Sequence, residues 1–148
     1  MKPFNIFIIL SVLGISAGFI FLKDALKNAD PSLTWSDRQQ LINRIAYLDY
    51  SDTNKVHSQK FGKTVLFFAA TTWCQTCSEL DKEIRQRIGE IPADLTILKV
   101  DYDNDSEMKS NYRVTQQHTL IVLDKKGNEI KRWIGGNLDL LFQEVEAT

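Results

Sequence analysis

The chain has 148 residues, 43% hydrophobic and 25% charged, with a net charge of −1. That is enough for one domain to bury a core without cross-links, and the balanced charge, with both signs interspersed, gives no electrostatic footprint for nucleic acid. The only two cysteines stand three positions apart, so a bridge between them closes too short a loop to restrain the unfolded chain, and unless incidental their use is chemical or metal-binding.

Phe4 to Leu22 is apolar except for Asn5, Ser11 and Ser16, and is bounded by Lys2 and by Lys23-Asp24. As a helix rising about 1.5 Å per residue it spans roughly 28 Å, close to the hydrocarbon thickness of a bilayer. Residues 1–23 are therefore expected to be a membrane anchor. The alternative is a cleaved signal peptide with Ser16-Ala17-Gly18 at the cleavage site, but Phe19 to Leu22 carry the apolar run past that point. Lys2 and the amino terminus on one side balance Lys23 and Lys27 on the other, so charge does not fix the orientation.

Residues 24–46 are expected to form a polar tether containing Pro31. An amphipathic helix follows, capped by Thr34 or Ser36 and placing Leu41, Ile42, Ile45 and Leu48 on one face. A domain then occupies 47–148. Tyr47 to Tyr50 reads as a short strand and Asp52 to Phe61 as a helix capped by Ser51 or Asp52 and ended by Gly62. Thr64 to Ala69, rich in β-branched and aromatic residues, reads as a buried strand.

Thr72-Trp73-Cys74-Gln75-Thr76-Cys77 follows, and from Cys77 the apolar positions Leu80, Ile84 and Ile88 recur at helical spacing. Cys77 then points inward and Cys74 sits in the first turn. The first N–H groups of a helix have no partner inside it and carry partial positive charge, which favours a thiolate over a thiol. Cys74 is thus the expected nucleophile, with Cys77 close enough to attack a mixed disulfide on it.

Gly89 and Pro92 break the helical pattern, and Leu95 to Val100 forms a second near-continuous apolar strand. Asp101-Tyr102-Asp103-Asn104-Asp105 raises a calcium loop but lacks the glycine and terminal glutamate at the required positions. It reads instead as a strand exit into a helix from Ser106 to Tyr112, capped by Asp105 or Ser106, and Asn104-Asp105-Ser106 also fits a glycosylation sequon. Thr119 to Leu123 is a third strong strand, joined through the turn Asp124 to Asn128 to an antiparallel partner, Glu129 to Ile134. Gly135-Gly136 ends this hairpin. Asn137 then caps a last helix with Leu138, Leu141, Phe142 and Val145 in one stripe. Trp35 and Trp133 read as packing residues and His57 as a surface residue.

Strand, Trp-Cys-x-x-Cys and helix together resemble the thioredoxin superfamily, from about Tyr47 to the C-terminus. The resemblance implies an α/β, thioredoxin-like three-layer sandwich, a central mixed sheet flanked by helices in the order βαβα then ββα, preceded here by the anchor or signal helix. It also implies a thiol-disulfide oxidoreductase that exchanges disulfides with protein thiols through Cys74 and Cys77. Such a protein needs an upstream redox partner and no dissociable cofactor, because the two thiols carry the electrons. By analogy with anchored relatives, the domain is expected outside the cytoplasm, in a periplasmic setting. Trp73 is expected to line the rim where a partner docks, and Gln117 to contact the partner's chain.

The chain departs from the family pattern at two places. His118 stands where the family usually carries a cis-proline facing the cysteines, so Gln117-His118 is either trans or held cis at a cost of about 2.5 to 4 kcal/mol. Near the sulfurs, its imidazole could favour the Cys74 thiolate when protonated, shuttle a proton when neutral, or join the sulfurs on a metal. Six residues before the first cysteine, where thioredoxins proper carry a buried aspartate, this chain has Phe68. Glu79 is expected to face solvent and does not replace that acid. The alternative function is a module in which Cys74, Cys77 and His118 hold copper, zinc or an iron–sulfur cluster, although a closed zinc site takes four ligands.

Overall fold

The computed structural model describes residues 34, 36 and 45–148. In chain order the elements are β1 (Tyr47–Asp49), α1 (Asp52–Phe61), β2 (Lys63–Ala69), α2 (Gln75–Gln86), a 3-10 turn (Ile88–Glu90) and β3 (Leu95–Asp101), then α3 (Ser106–Asn111), β4 (Thr119–Leu123), β5 (Glu129–Ile134) and α4 (Leu138–Glu146). The apolar segment Phe4–Leu22, the tether and most of the amphipathic helix, Trp35 included, lie outside the described residues; Ser36, Ile45 and Ala46 are helical. Among the described residues no helix is long and apolar enough to cross a membrane.

The most apolar runs lie at the centre of one mixed sheet, in the order β1-β3-β2-β4-β5. β1, β3 and β2 run parallel, whereas β4 is antiparallel to both β2 and β5. Helices cover both faces, which is why β2 and β4 read as continuous apolar runs rather than alternating ones. Val65, Phe67 and Ala69 of β2 point into a core shared with Cys74, Cys77, Leu80 and Ile84 on the side of α2 and α4. Leu66 and Phe68 point the other way, against Leu98, Val100, Met108 and Ile121. α1 lies on that second side, tied to β2 by a buried hydrogen bond of 2.7 Å between the Ser58 and Thr64 hydroxyls.

The caps settle which of the neighbouring residues starts each helix. Ser51 Oγ accepts from the Asn54 N–H, Asp105 Oδ1 from Met108 N–H and Asn137 Oδ1 from Leu140 N–H, at 3.0 to 3.1 Å. α2 is shorter than its apolar spacing suggests. It ends at Gln86, so Ile88 packs against the core from the 3-10 turn rather than from the helix. The acidic run after β3 is a turn: Asp101 Oδ1 accepts the N–H groups of Asp103 and Asn104 at 3.0 and 3.1 Å.

One polar cluster fixes α2 against the sheet. The Tyr47 hydroxyl donates to Asp81 Oδ1 at 2.6 Å, Arg85 Nε donates to Asp81 Oδ2 at 3.0 Å, and Lys99 Nζ lies 3.4 Å from the same carboxylate. Asp81 stands one turn beyond Cys77, so this carboxylate joins the cysteine-bearing helix to β1 and β3. Burial pushes its pKa up, but the hydrogen bonds from Arg85 and Tyr47 and the charges of Lys99 and Arg85 outweigh that and hold it below the ordinary carboxylate value. A depressed carboxyl stabilises the fold above the ordinary carboxylate range and loses that contribution as pH falls through its folded value. In urea titrations, Asp81→Asn is therefore expected to lose about 1 kcal/mol or more at pH 7. Its midpoint should also fall less steeply than that of the wild type below about pH 4.

Candidate active site

The loop between β2 and α2 builds the site. The Ala70 carbonyl accepts the N–H groups of Cys74 at 2.9 Å and Trp73 at 3.4 Å, a turn that carries the chain off the end of β2. Cys74 is the N-cap of α2, with extended backbone, and its Sγ accepts the Cys77 N–H at 3.2 Å. The two cysteines are joined in a disulfide. Cys74 keeps 8% of its surface exposed and Cys77 none, so only the first sulfur can be reached from outside. A shallow depression of about 350 Å³ beside it is lined by Thr72, Trp73, Gln75, Ser78 and Glu79.

Trp73 is 59% exposed. Its indole N–H donates to both carboxylate oxygens of Asp103, at 3.0 and 3.1 Å, which fixes the ring at the rim. The sequence reading placed Trp73 there but gave Asp103 no part. The signal was available in the parallel pairing of β2 with β3, whose register sets Ala69 beside Asp101 and so brings the two following loops together. Glu79 is exposed, as expected, and accepts from Gln75 Nε2 at 2.9 Å.

His118 ends the loop that faces the pair. No peptide bond among the described residues is cis, so Gln117-His118 is trans, and His118 instead takes a left-handed backbone with φ of 58°. Histidine adopts that conformation more readily than most residues do. Two hydrogen bonds hold it: the His118 N–H donates to the Phe68 carbonyl at 2.8 Å, and its own carbonyl accepts the Gly135 N–H at 2.9 Å. The side chain is 4% exposed, and its ring lies 5.5 Å from that of Phe67. Nδ1 is 2.9 Å from the Thr76 hydroxyl, which in turn is 3.5 Å from Cys74 Sγ. Burial lowers the imidazole pKa below its ordinary value, and the Gly136 backbone opposes that only in part. Gln117, the expected partner contact, is half-buried beside it.

The position beneath the disulfide differs from the sequence expectation. Phe68 faces the opposite core, with its ring 6.3 Å from Tyr112, and Phe67 occupies the cluster shared by both cysteines. Counting back from Cys74 fails here because the turn after Ala69 does not preserve the two-residue alternation of the strand. The conclusion about charge stands, since no carboxylate is buried among the described residues.

The sulfurs and a ring nitrogen of His118 lie within 4.8 Å of one another, so all three residues of the metal-holding alternative are brought together. The sulfurs are engaged with each other and Nδ1 meets the Thr76 hydroxyl, while the buried Nε2 has no hydrogen-bond partner within the described chain.

Residues 49–147 match the sequence profile of the Thioredoxin family. The chain belongs to that family. A thioredoxin of Chlamydia trachomatis is 34% identical over 85 residues, covering 57% of this chain and 80% of that protein. Rice Thioredoxin H2-2 is 27% identical over 89 residues, covering 60% of this chain and 65% of its own length. This chain thus spans slightly less than two thirds of that rice relative. Among solved structures, the thioredoxin of Trypanosoma brucei brucei superposes with a TM-score of 0.55 at 30% identity, covering 68% of this chain and 87% of the other. Trxlp from Edwardsiella tarda does so at 0.52 and 26%, covering 67% and 96%.

Within this thioredoxin-family domain, the backbone at His118 is one that proline cannot adopt, since its ring fixes φ near −65° and it has no N–H to give Phe68. His118→Pro is expected to destabilise the domain by roughly 2 kcal/mol or more, through strain and the stranded carbonyl. His118→Asn, which tolerates the left-handed region, should cost less, and urea midpoints of the two variants measure the difference.

Proposed function

We propose that this chain is a thiol-disulfide oxidoreductase that exchanges disulfides with protein thiols outside the cytoplasm, held at a membrane by Phe4–Leu22. The observation that carries the catalytic part is the Cys74–Cys77 disulfide at the start of α2, with one sulfur at the surface and the other fully buried. Family membership supports the same reading. The apolar length of Phe4–Leu22 supports the anchor, and the analogy with anchored relatives supports the location.

In the reduced state the Cys74 thiolate attacks a disulfide of the partner, forms a mixed disulfide and expels one partner thiolate. Cys77 then attacks Cys74 Sγ, expels the second thiolate and leaves the internal disulfide, so that two electrons have passed to the partner. The reverse sequence oxidises a dithiol. Trp73, held by Asp103, and Gln117 contact the partner at the rim, while His118 tunes the pair from beneath. A second protein, the upstream redox partner, restores the starting state. The metal-holding alternative requires two free thiolates, whereas the paired sulfurs favour exchange.

Two measurements test the proposal. In a turnover assay with insulin as the disulfide substrate, Cys74→Ser is expected to abolish activity. Cys77→Ser should instead accumulate a mixed disulfide that is visible on non-reducing gels and released by dithiothreitol. An inactive wild type, or an active Cys74→Ser, overturns the chemistry. Protease added to intact spheroplasts should digest the domain, and full protection would overturn the location.

A further inference from the structure

We propose that the Thr76 hydroxyl is a proton relay that joins the sulfur of Cys74 to Nδ1 of His118. The inference rests on the thiol-disulfide reading and adds to it a residue between the cysteines. Thr76 and His118 are 42 positions apart in sequence, yet Oγ1 and Nδ1 lie at 2.9 Å, and the same Oγ1 lies 3.5 Å from Cys74 Sγ. One hydroxyl therefore touches both the expected nucleophile and a buried imidazole.

The relay assigns a donor or acceptor role to each group. Burial keeps the imidazole neutral near pH 7, so one ring nitrogen carries a proton and the other accepts. The relay requires Nδ1 to be the acceptor and the ring proton to sit on Nε2, which is buried and makes no hydrogen bond within the described chain. The Thr76 proton is then directed at Nδ1, which leaves an Oγ1 lone pair for the Cys74 thiol of the reduced state. The groups facing the imidazole are Phe67 from β2, Thr76 and the two cysteines from the start of α2, and the Gly135–Gly136 backbone after β5. No ionised side chain contributes to the shift of its pKa.

The step balances as a proton transfer coupled to exchange. The Cys74 S–H proton passes to Oγ1 as the Thr76 proton passes to Nδ1, giving a thiolate and an imidazolium. The thiolate attacks the partner's disulfide. Cys77 gives its thiol proton to the partner thiolate expelled in that attack and resolves the mixed disulfide, and the imidazolium returns its proton through Thr76 to the second partner thiolate, the one released from Cys74. Nothing is oxidised or reduced beyond the exchange itself.

The test uses the reduced full-length chain in detergent, with iodoacetamide alkylation of Cys74 followed from pH 5 to 9 in the wild type, Thr76→Val, Thr76→Ser, His118→Asn and the Thr76→Val/His118→Asn double variant. Thr76→Val keeps the shape and removes the hydroxyl. It and His118→Asn are each expected to slow alkylation at pH 7 by about tenfold, the loss expected for a hydrogen bond to a charged sulfur. The double variant should be no slower than either, because both cut the same path, and Thr76→Ser should recover most of the loss. In ¹⁵N spectra of the wild type at pH 7, the His118 ring should show a bare Nδ1 and a protonated Nε2. Additive losses of about a hundredfold, an unchanged rate in Thr76→Val, no recovery in Thr76→Ser, or a protonated Nδ1 would each overturn the relay. These readings need no partner protein, so a relay that fails while insulin is still turned over leaves the exchange function standing, and loss of insulin turnover in the wild type removes that function instead.

Discussion

The N–H of Cys77 points at the sulfur of Cys74 from 3.2 Å, and the rest of the site is arranged around that contact. A helix begins with N–H groups that its own carbonyls cannot reach, and some group outside the helix has to accept them. Here the acceptor is a sulfur atom, where α1, α3 and α4 each use an oxygen from Ser51, Asp105 or Asn137. Acting as cap requires Cys74 to stand outside the helix on extended backbone, and that places its sulfur at the edge of the surface. Cys77, three residues on, is inside the helix and faces the core. The proposed division of labour between an attacking and a resolving sulfur thus has its basis in helix geometry, and a thiolate accepts the Cys77 N–H more strongly than a thiol does. The Asp81 cluster matters because it fixes the angle at which this helix start meets the sheet.

Much of this was open to a reading of the chain alone, for identifiable reasons. The inner strands declare themselves because both of their faces are covered. The helix starts do so because a cap is a side chain acting on a backbone group three positions away. The cysteine pair is equally local. What escaped the sequence depends on contacts between distant segments or on parity across a turn. Asp103 meets Trp73 only through the register of two parallel strands. Phe67 and Phe68 exchange roles because alternation does not survive the turn after β2. Thr76 looks like a filler between two cysteines until a loop 42 residues away brings an imidazole against it. α1 is a middle case, legible from Ser51 and Gly62 although it buries only Ser58 rather than an apolar stripe.

His118 shows what a substitution at a structurally constrained loop can change. The family's proline is an inert wall and has no N–H. With histidine in its place, the loop gains a donor for the Phe68 carbonyl, adopts a left-handed backbone and presents an imidazole to the sulfurs. The conformational strain is of order 1 kcal/mol or more, and the hydrogen bonds on either side of the residue offset it. The environment then selects the protonation state. With no buried carboxylate nearby, the Gly136 backbone alone does not offset the cost of burying an imidazolium while the cysteines are bonded to each other, so the ring rests neutral.

That resting state bears on how the pair changes its charge. In the disulfide form neither sulfur ionises, the imidazole is neutral, and the buried side of the site carries no charge at all. Reduction introduces a thiolate at the edge of that apolar pocket, where the Cys77 N–H and the start of α2 stabilise it in part. A proton moved to His118 places the compensating positive charge beside the new negative one, so the reduced site as a whole stays neutral. Separating either charge from the other in this surrounding would cost far more than it does in water. The same argument explains why Phe67, rather than an acid, can lie beneath the sulfurs. A fixed carboxylate there would oppose the thiolate that the helix start favours, and with an imidazole within reach it is not needed to receive the proton.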